Sequence, residues 1–421
     1  MSPTGAIPPV NAASPPARPT SSGRGAWLLQ WRAGERKTVY LCAAILGIGT
    51  FVLVLHVVKI WAAFTAQAPG QSADLNEFFA LWSYAKIASA HPATELYDFA
   101  TLHARQVALG MAPGTQNPFP YPPIFILLLW PLSFMPYEAA YPVWIVGTLA
   151  LFVWAVAATC SRLPLCLLGV IVAPASIATI DSGQSGFLAA ALITAGVRLA
   201  GSRPVLGGIL LGILTYKPQL GLLVPIALAS AGFWPAFRAA CATAVGLAVV
   251  ATLAFGWAVW PAWFSMLPAY AEMFDQWTGT LRFMPTVIAN LELAGCTLAV
   301  AKIVQALVAL AVAVLVWRCF RQHSGRIATA ALLVGTILAT PHAYIYDLPM
   351  VVAAMALFIA ARVESGAAFS LAEIDILILA YIFPALMQTR YLHQPVSAVP
   401  LMLFFGMILW NARSAPARQP G

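Results

Sequence analysis

The stretch "SADLNEFFALWSYAKIASAHPATELYDF", residues 72–99, gathers Asp74, Glu77, Glu95 and Asp98 just after the first long apolar run of the chain. Carboxylates in an otherwise oily sequence suit proton transfer, because a positioned Asp or Glu can take the proton of a hydroxyl nucleophile. The spacing "DLNE" fits a capping box, with Asp74 as N-cap and Glu77 at the third position of a helix reaching about Ala90. A helix start at a membrane surface also aims a fixed carboxylate at whatever lies beside it. Phe78, Phe79, Leu81, Trp82 and Tyr84 predict that this helix rests in the headgroup interface.

Other chemistry-bearing residues fall between apolar runs. Lys217, in "GILLGILTYKPQLGLLVPIAL", is either a lysine that snorkels to the headgroups or a point charge for a lipid phosphate. The turn "GQSG" (183–186) is either a plain helix start or a cradle whose amides and Gln184 hold a sugar or phosphate oxygen. In "ATPHAYIYDLPM", His342 and Asp347 stand at the junction of two apolar segments, either as a buried His–Asp contact with only a structural job or as site residues. Arg282 lies in "GTLRFMP", in the same loop as Glu272 and Asp275, which read as solvated. Arg390 and His393, beside Tyr391, are either site residues or interfacial anchors. The six cysteines show no CxxC spacing and sit in or beside apolar segments, which argues against a metal or disulfide framework.

The elements that must position these residues are membrane spans. Of the 421 residues 61% are hydrophobic and 9% charged, with a mean hydropathy of +0.84, where a soluble domain carries about 25% charge. Apolar runs near the roughly 20 residues of a bilayer crossing recur throughout, so the chain reads as an all-α, polytopic membrane protein of about 12 transmembrane helices. The Pro/Ser/Ala-rich residues 1–37 read as a disordered cytoplasmic tail, 38–412 as the transmembrane domain, and 413–421 as a second cytoplasmic tail. Arg32, Arg36 and Lys37 keep the start of the first span inside, which makes 62–120 the first extracytoplasmic loop. The Pro-rich piece 121–135 is short or re-entrant. The net charge of +8 follows from short basic loops facing anionic lipid, and nucleic acid is not an expected partner. With this topology Asp74, Glu77, Asp181, Gln184, Lys217, Glu272, Asp275, Arg282, His342, Tyr346, Asp347, Arg390 and His393 all reach the outer side. Ionisable groups at a membrane edge are costly, which marks them as functional candidates.

The order of "DLNEFFALWSYAKI", "ELYD", "NPFPYPPIFILLLWPLSFMP", "GQSG", "GGILLGILTYKPQLGLLVPIAL" and "TPHAYIYDL" resembles the bacterial integral-membrane glycosyltransferases that use polyprenyl-phosphate-mannose. That group includes the alpha-(1,2)-mannosyltransferases of phosphatidylinositol mannoside synthesis. The resemblance covers residues 38–412 and implies a GT-C helical bundle in the bacterial inner (plasma) membrane, with its active site facing outward. It implies a polyprenyl-phosphate sugar donor and a glycolipid or glycan acceptor drawn from the cell envelope. It matches Asp74 to the catalytic acidic position and Tyr121 to a Tyr-Pro-Pro turn. Gln184, Lys217, His342, Tyr346 and Asp347 match the later motifs, with "DL" here where Asp-Phe is frequent. No cofactor is expected. The first loop lacks an Asp-x-Asp pair, which leaves a divalent metal open but not required. A transporter or lipid flippase without bond-making chemistry is the alternative reading, and a scaffold in an envelope complex a third.

Overall fold

A computed structural model describes residues 33–66, 77–160, 164–323, 325–389 and 395–413. Residues 1–32 and 414–421 of the expected tails, together with Asp74, Arg390 and His393, lie outside these residues, while 33–37 open the helix Ala33–Ala66. Among the described residues every regular element is helical. Five helices are long and apolar enough to cross a membrane: Lys37–Ala62, Tyr137–Thr159, Trp234–Phe255, Leu298–Gln322 and Ile345–Glu364. Seven shorter apolar helices accompany them.

At the centre of the bundle stand Gly186–Ala200, Arg326–Ala339 and Pro349–Glu364, which pack on one another and bury nearly every side chain. They are apolar on all faces because each face meets protein. Around them, Tyr137–Cys160 packs on the first and Leu298–Gln322 on the second, while Trp234–Phe255 packs on Pro204–Ile213. These outer helices turn Val146, Val249, Leu253, Ile303 and Leu310 outward, the apolar surface a bilayer would cover.

Length matters for the site. The central helices have 14 to 16 residues, about 21–24 Å of rise. The helix Leu298–Gln322 has 25, about 37 Å, against a hydrocarbon core of roughly 30 Å. Two of the three fall short of that core, while Pro349–Glu364 continues the turn Ile345–Asp347 and with it makes a 20-residue crossing helix; the polar groups at their ends are held inside the bundle. At one such end meet residues 183–186, 340–342 and 344–347; at the other, Arg198, Arg326 and Glu364.

The segment after the first helix departs from expectation. The helix begins at Phe78, so Glu77 occupies its N-cap position, in αR geometry and with no side-chain capping bond, rather than the third helical position. Within the helix Phe78–Ala90, Phe78 through Ala85, Ile87 and Ala88 are buried against protein. Its aromatic residues pack inward, Phe78 on Tyr137 and Tyr141 and Tyr84 on Phe119. The chain then folds as Phe99–Ala108 and the short pair Ile124–Leu129 and Trp130–Phe134, in line with a weak 121–135 segment. The loop 257–297 contains two helices, Val259–Gln276 and Val287–Leu293. Trp263 Nε1 donates to the Pro120 carbonyl at 3.2 Å and fastens the first of these to the 99–135 region.

Candidate active site

Three chain segments knit the recessed end together. Gly183 ends the helix Pro174–Ser182 with φ +68°, the left-handed turn that glycine adopts without penalty. A Cβ there would lie 2.3 Å from Phe78 Cβ, so the start of Phe78–Ala90 sits directly on the "GQSG" turn. Gly186 is the second close approach: a Cβ would fall 1.7 Å from the Tyr346 carbonyl oxygen. Thr179 Oγ1 donates to that same oxygen at 3.0 Å, and the Tyr216 hydroxyl donates to the Ser185 carbonyl at 3.2 Å. Residues 77–78, 183–186 and 346–347 are thereby held as one unit.

Lys217 and Asp347 form the electrostatic centre. The turn Leu214–Tyr216, followed by Pro218 opening the next short helix, directs Lys217 inward. Its Nζ lies 2.7 Å from Asp347 Oδ1, and each side chain is only 3% exposed. Asp347 Oδ2 accepts from the Tyr344 backbone N–H at 3.1 Å, and the Lys217 ammonium lies 5.2 Å from the Tyr346 ring centre. Tyr344 and Tyr346 stack at 5.3 Å. This corrects two expectations. Lys217 does not snorkel, and Asp347 partners Lys217 rather than His342.

Glu77 faces this pair. Glu77 is exposed by its total surface, but protein packed near its carboxyl removes part of its water and raises its pKa above the ordinary glutamate value. A hydrogen bond from the Gln184 side chain and the Lys217 charge oppose that rise; the Asp347 charge adds to it. Gln184 is buried, and its Oε1 has no hydrogen-bond partner. Around the carboxylates stand Tyr84, Tyr121, Tyr270 and Tyr344, whose pKa values burial pushes upward, so their hydroxyls remain proton donors. Tyr121 stacks obliquely on Phe125 at 4.6 Å, and Phe125 stacks on Tyr216 at 4.7 Å, which ties the Tyr-Pro-Pro turn to the Lys217 turn.

A cavity of about 460 Å³ opens beside this centre, lined by Tyr270, Phe274, Trp277, Leu281, Met284 and His342. Its floor is fixed by Gln305, which accepts from Ile288 N–H and donates to the carbonyls of Leu338 and Ala339. His342 meets the Phe274 ring edge-on at 4.5 Å, and burial lowers its pKa below the usual imidazole value, so it is neutral at pH 7. Asp275, read from the sequence as solvated, pairs with Lys302 at 2.9 Å beside it. Arg282 lies on the neighbouring turn Thr278–Phe283, with its guanidinium over Phe283. Asp181 joins the first helix instead, 2.7 Å from His56 Nε2. The described residues hold no group of His, Cys, Asp and Glu suited to a metal ion.

Sequence reasoning put Glu77 at the third position of a helix capped by Asp74, and the structure puts it at the N-cap position of Phe78–Ala90 without a capping bond. The small residues Ala80, Ala85 and Ala88 between its aromatics were the available signal, since they mark a helix packed closely inside protein.

An all-helical membrane bundle with a recessed cluster of carboxylates, amide, lysine and tyrosine defines a membrane enzyme for polar groups held at one face of the bundle. The chain belongs to glycosyltransferase family 87, whose family model matches residues 119–341, just over half of its length. It is therefore a membrane glycosyltransferase, with a sugar donor and an acceptor as substrates. The match contains Tyr121, the "GQSG" turn, Lys217 and Arg282; Glu77 precedes it, and His342, Tyr346 and Asp347 follow its end. No curated protein sequence and no solved structure shows significant similarity to the chain.

Proposed function

We propose that this glycosyltransferase moves a hexose, mannose by its motif resemblance, from a polyprenyl-phosphate donor to a glycolipid or glycan acceptor. The reaction takes place on the extracytoplasmic side of a bacterial inner membrane, within a GT-C bundle of about 12 spans. The observation that carries the reading is the buried Lys217–Asp347 pair, held against the "GQSG" turn on which the segment Glu77–Phe78 also sits, in a chain of this family.

In the proposed step an acceptor hydroxyl attacks the anomeric carbon as the bond from that carbon to the phosphate oxygen breaks. Glu77 takes the hydroxyl proton, and polyprenyl phosphate leaves with the bonding electrons. The sugar inverts. A glutamate with a raised pKa is a stronger base than an ordinary one and suits this role. The Lys217 charge is matched by Asp347, so its part is to keep Glu77 ionised and to seat Tyr346, not to bind phosphate alone. The unpartnered Gln184 Oε1 and the tyrosine hydroxyls complement sugar hydroxyls. Charge growing on the leaving phosphate falls to Arg282 and, beyond the described residues, Arg390, with neutral His342 donating a hydrogen bond. The apolar cavity lined by Phe274, Trp277 and Leu281 suits the first isoprene units of the donor.

The test is incubation of the full chain, reconstituted in bilayers, with radiolabelled polyprenyl-phosphate hexoses and a membrane lipid extract. Label is expected in a lipid or glycan product with wild type, and far more slowly with Glu77→Gln. Asp74→Asn, the variant at the acidic position picked from the sequence, is run beside it. Full turnover in Glu77→Gln with loss in Asp74→Asn would move the base to residue 74; transfer only from nucleotide sugars would remove the lipid donor.

A further inference from the structure

A second cavity, of about 510 Å³, lies at the other end of the central helices. Its wall includes Thr194, Arg198, His323, Arg326 and Thr329. Arg198 is in the last turn of Gly186–Ala200, whose first residue touches Tyr346, so the two sites stand about 18 Å apart along that helix.

This cavity is basic, and its Arg198 lacks a counter-charge. Among the described residues no carboxylate lines it and none pairs with Arg198, whose guanidinium lies 5.7 Å from the Trp154 ring. Arg326 is held in place by the Thr159 carbonyl at 2.7 Å and by Glu364. Three polar atoms in the wall are buried without a hydrogen-bond partner: Thr194 Oγ1, Arg198 Nε and His323 Nδ1. Thr194 is fully buried and His323 is 8% exposed. The Thr194 hydroxyl is unlike those of Thr148, Thr243 and Thr329, each of which donates to the carbonyl four residues earlier. Buried polar groups are normally satisfied, and an arginine recessed among helices is costly without an anion.

We propose that this cavity binds a phosphate group, with Arg198 as its principal cation and the Thr194 hydroxyl and His323 imidazole as further hydrogen-bonding partners. A planar guanidinium with an adjacent hydroxyl and imidazole matches the several oxygens of a phosphate, and basic pockets between membrane helices take up anionic headgroups. The phosphate comes either from an anionic phospholipid or from free solution. The site is separate from the transfer chemistry, so its existence does not depend on the donor proposed above.

Two measurements on the full chain test it and separate the sources. Calorimetric titration of detergent-purified protein with inorganic phosphate reads the free ion. Native mass spectrometry of protein taken from phosphatidylglycerol or phosphatidylcholine vesicles reads retained headgroups. Arg198→Gln is expected to weaken binding tenfold or more, the effect of losing a charge-assisted hydrogen bond. Thr194→Val, close in shape, should weaken it several-fold, and Arg198→Lys should retain part of it; these guard against misfolding of the first variant. Phosphate binding that falls in the variants supports the free ion. Retention of phosphatidylglycerol alone, lost in Arg198→Gln, supports a lipid headgroup. Equal behaviour of wild type and variants in both measurements means the cavity holds water only and overturns the proposal.

Discussion

Lys217 Nζ and Asp347 Oδ1 lie 2.7 Å apart, 130 residues apart in sequence, with almost no water at either. Removing one partner leaves the other charge buried and alone. Lys217→Met and Asp347→Asn should each destabilise the protein by about 3–5 kcal/mol, while the double variant should lose clearly less than the sum. Chemical denaturation in detergent measures all three. Additive losses would show that the two charges do not interact in solution.

How much of this was legible in the sequence depends on what each residue answers to. Helices were readable because apolar runs report burial in lipid or protein directly, and Gly186–Ala200, Leu298–Gln322 and Ile345–Glu364 are each such a run. Lys217, Gln184, Tyr346 and Asp347 were readable as polar interruptions between such runs, and the structure brings them together. Their pairing was not, because His342 and Lys217 are equally plausible partners for Asp347 until the turn Leu214–Tyr216 fixes where the lysine points. Glu77 was misread because a D-x-x-E pattern satisfies local capping rules whether or not a helix starts there. Tertiary packing of Phe78 on Gly183 sets the helix start, and no local pattern reports it.

That packing makes Gly186 a sharp test of the site. Alanine there would drive Cβ into the Tyr346 carbonyl oxygen, backbone that cannot rotate away. Gly186→Ala should cost about 3 kcal/mol or more, the upper range for overpacking, and should reduce transfer because residues 346–347 move. Thermal melting and turnover, measured together, check this. Wild-type values in both would mean that these segments are not in contact.

Gln305 tests the donor cavity from its floor. Its side chain bridges Ile288 N–H to the carbonyls of Leu338 and Ala339 and so joins the 287–293 helix to the central one. Gln305→Leu strands a buried N–H and should cost about 1–3 kcal/mol. Because the cavity wall loosens, KM for the lipid donor should rise more than kcat falls. An unchanged KM would detach this cavity from donor binding.

The last prediction concerns pH at Glu77. Burial raises its folded-state pKa above the value in the unfolded chain, so the folded protein holds its proton to higher pH. The sign follows: ionised Glu77 opposes folding, and this loss is present above the folded pKa and relieved as pH falls toward the unfolded value. A base must be ionised, so transfer should decline on the acid side through a pKa above that of an ordinary glutamate. Glu77→Gln should therefore do two opposite things at neutral pH: raise the melting temperature and lower turnover by about 10²–10⁴. The residual activity should lose the acid limb. Glu77→Asp, which keeps a carboxylate on a shorter stem, should retain the limb at reduced rate. A pH–rate profile of these variants beside Asp74→Asn separates the two carboxylates, because the acid limb belongs to whichever residue carries the proton. If the limb survives in Glu77→Gln, the proton goes elsewhere and the recessed cluster around Lys217 serves binding rather than bond formation.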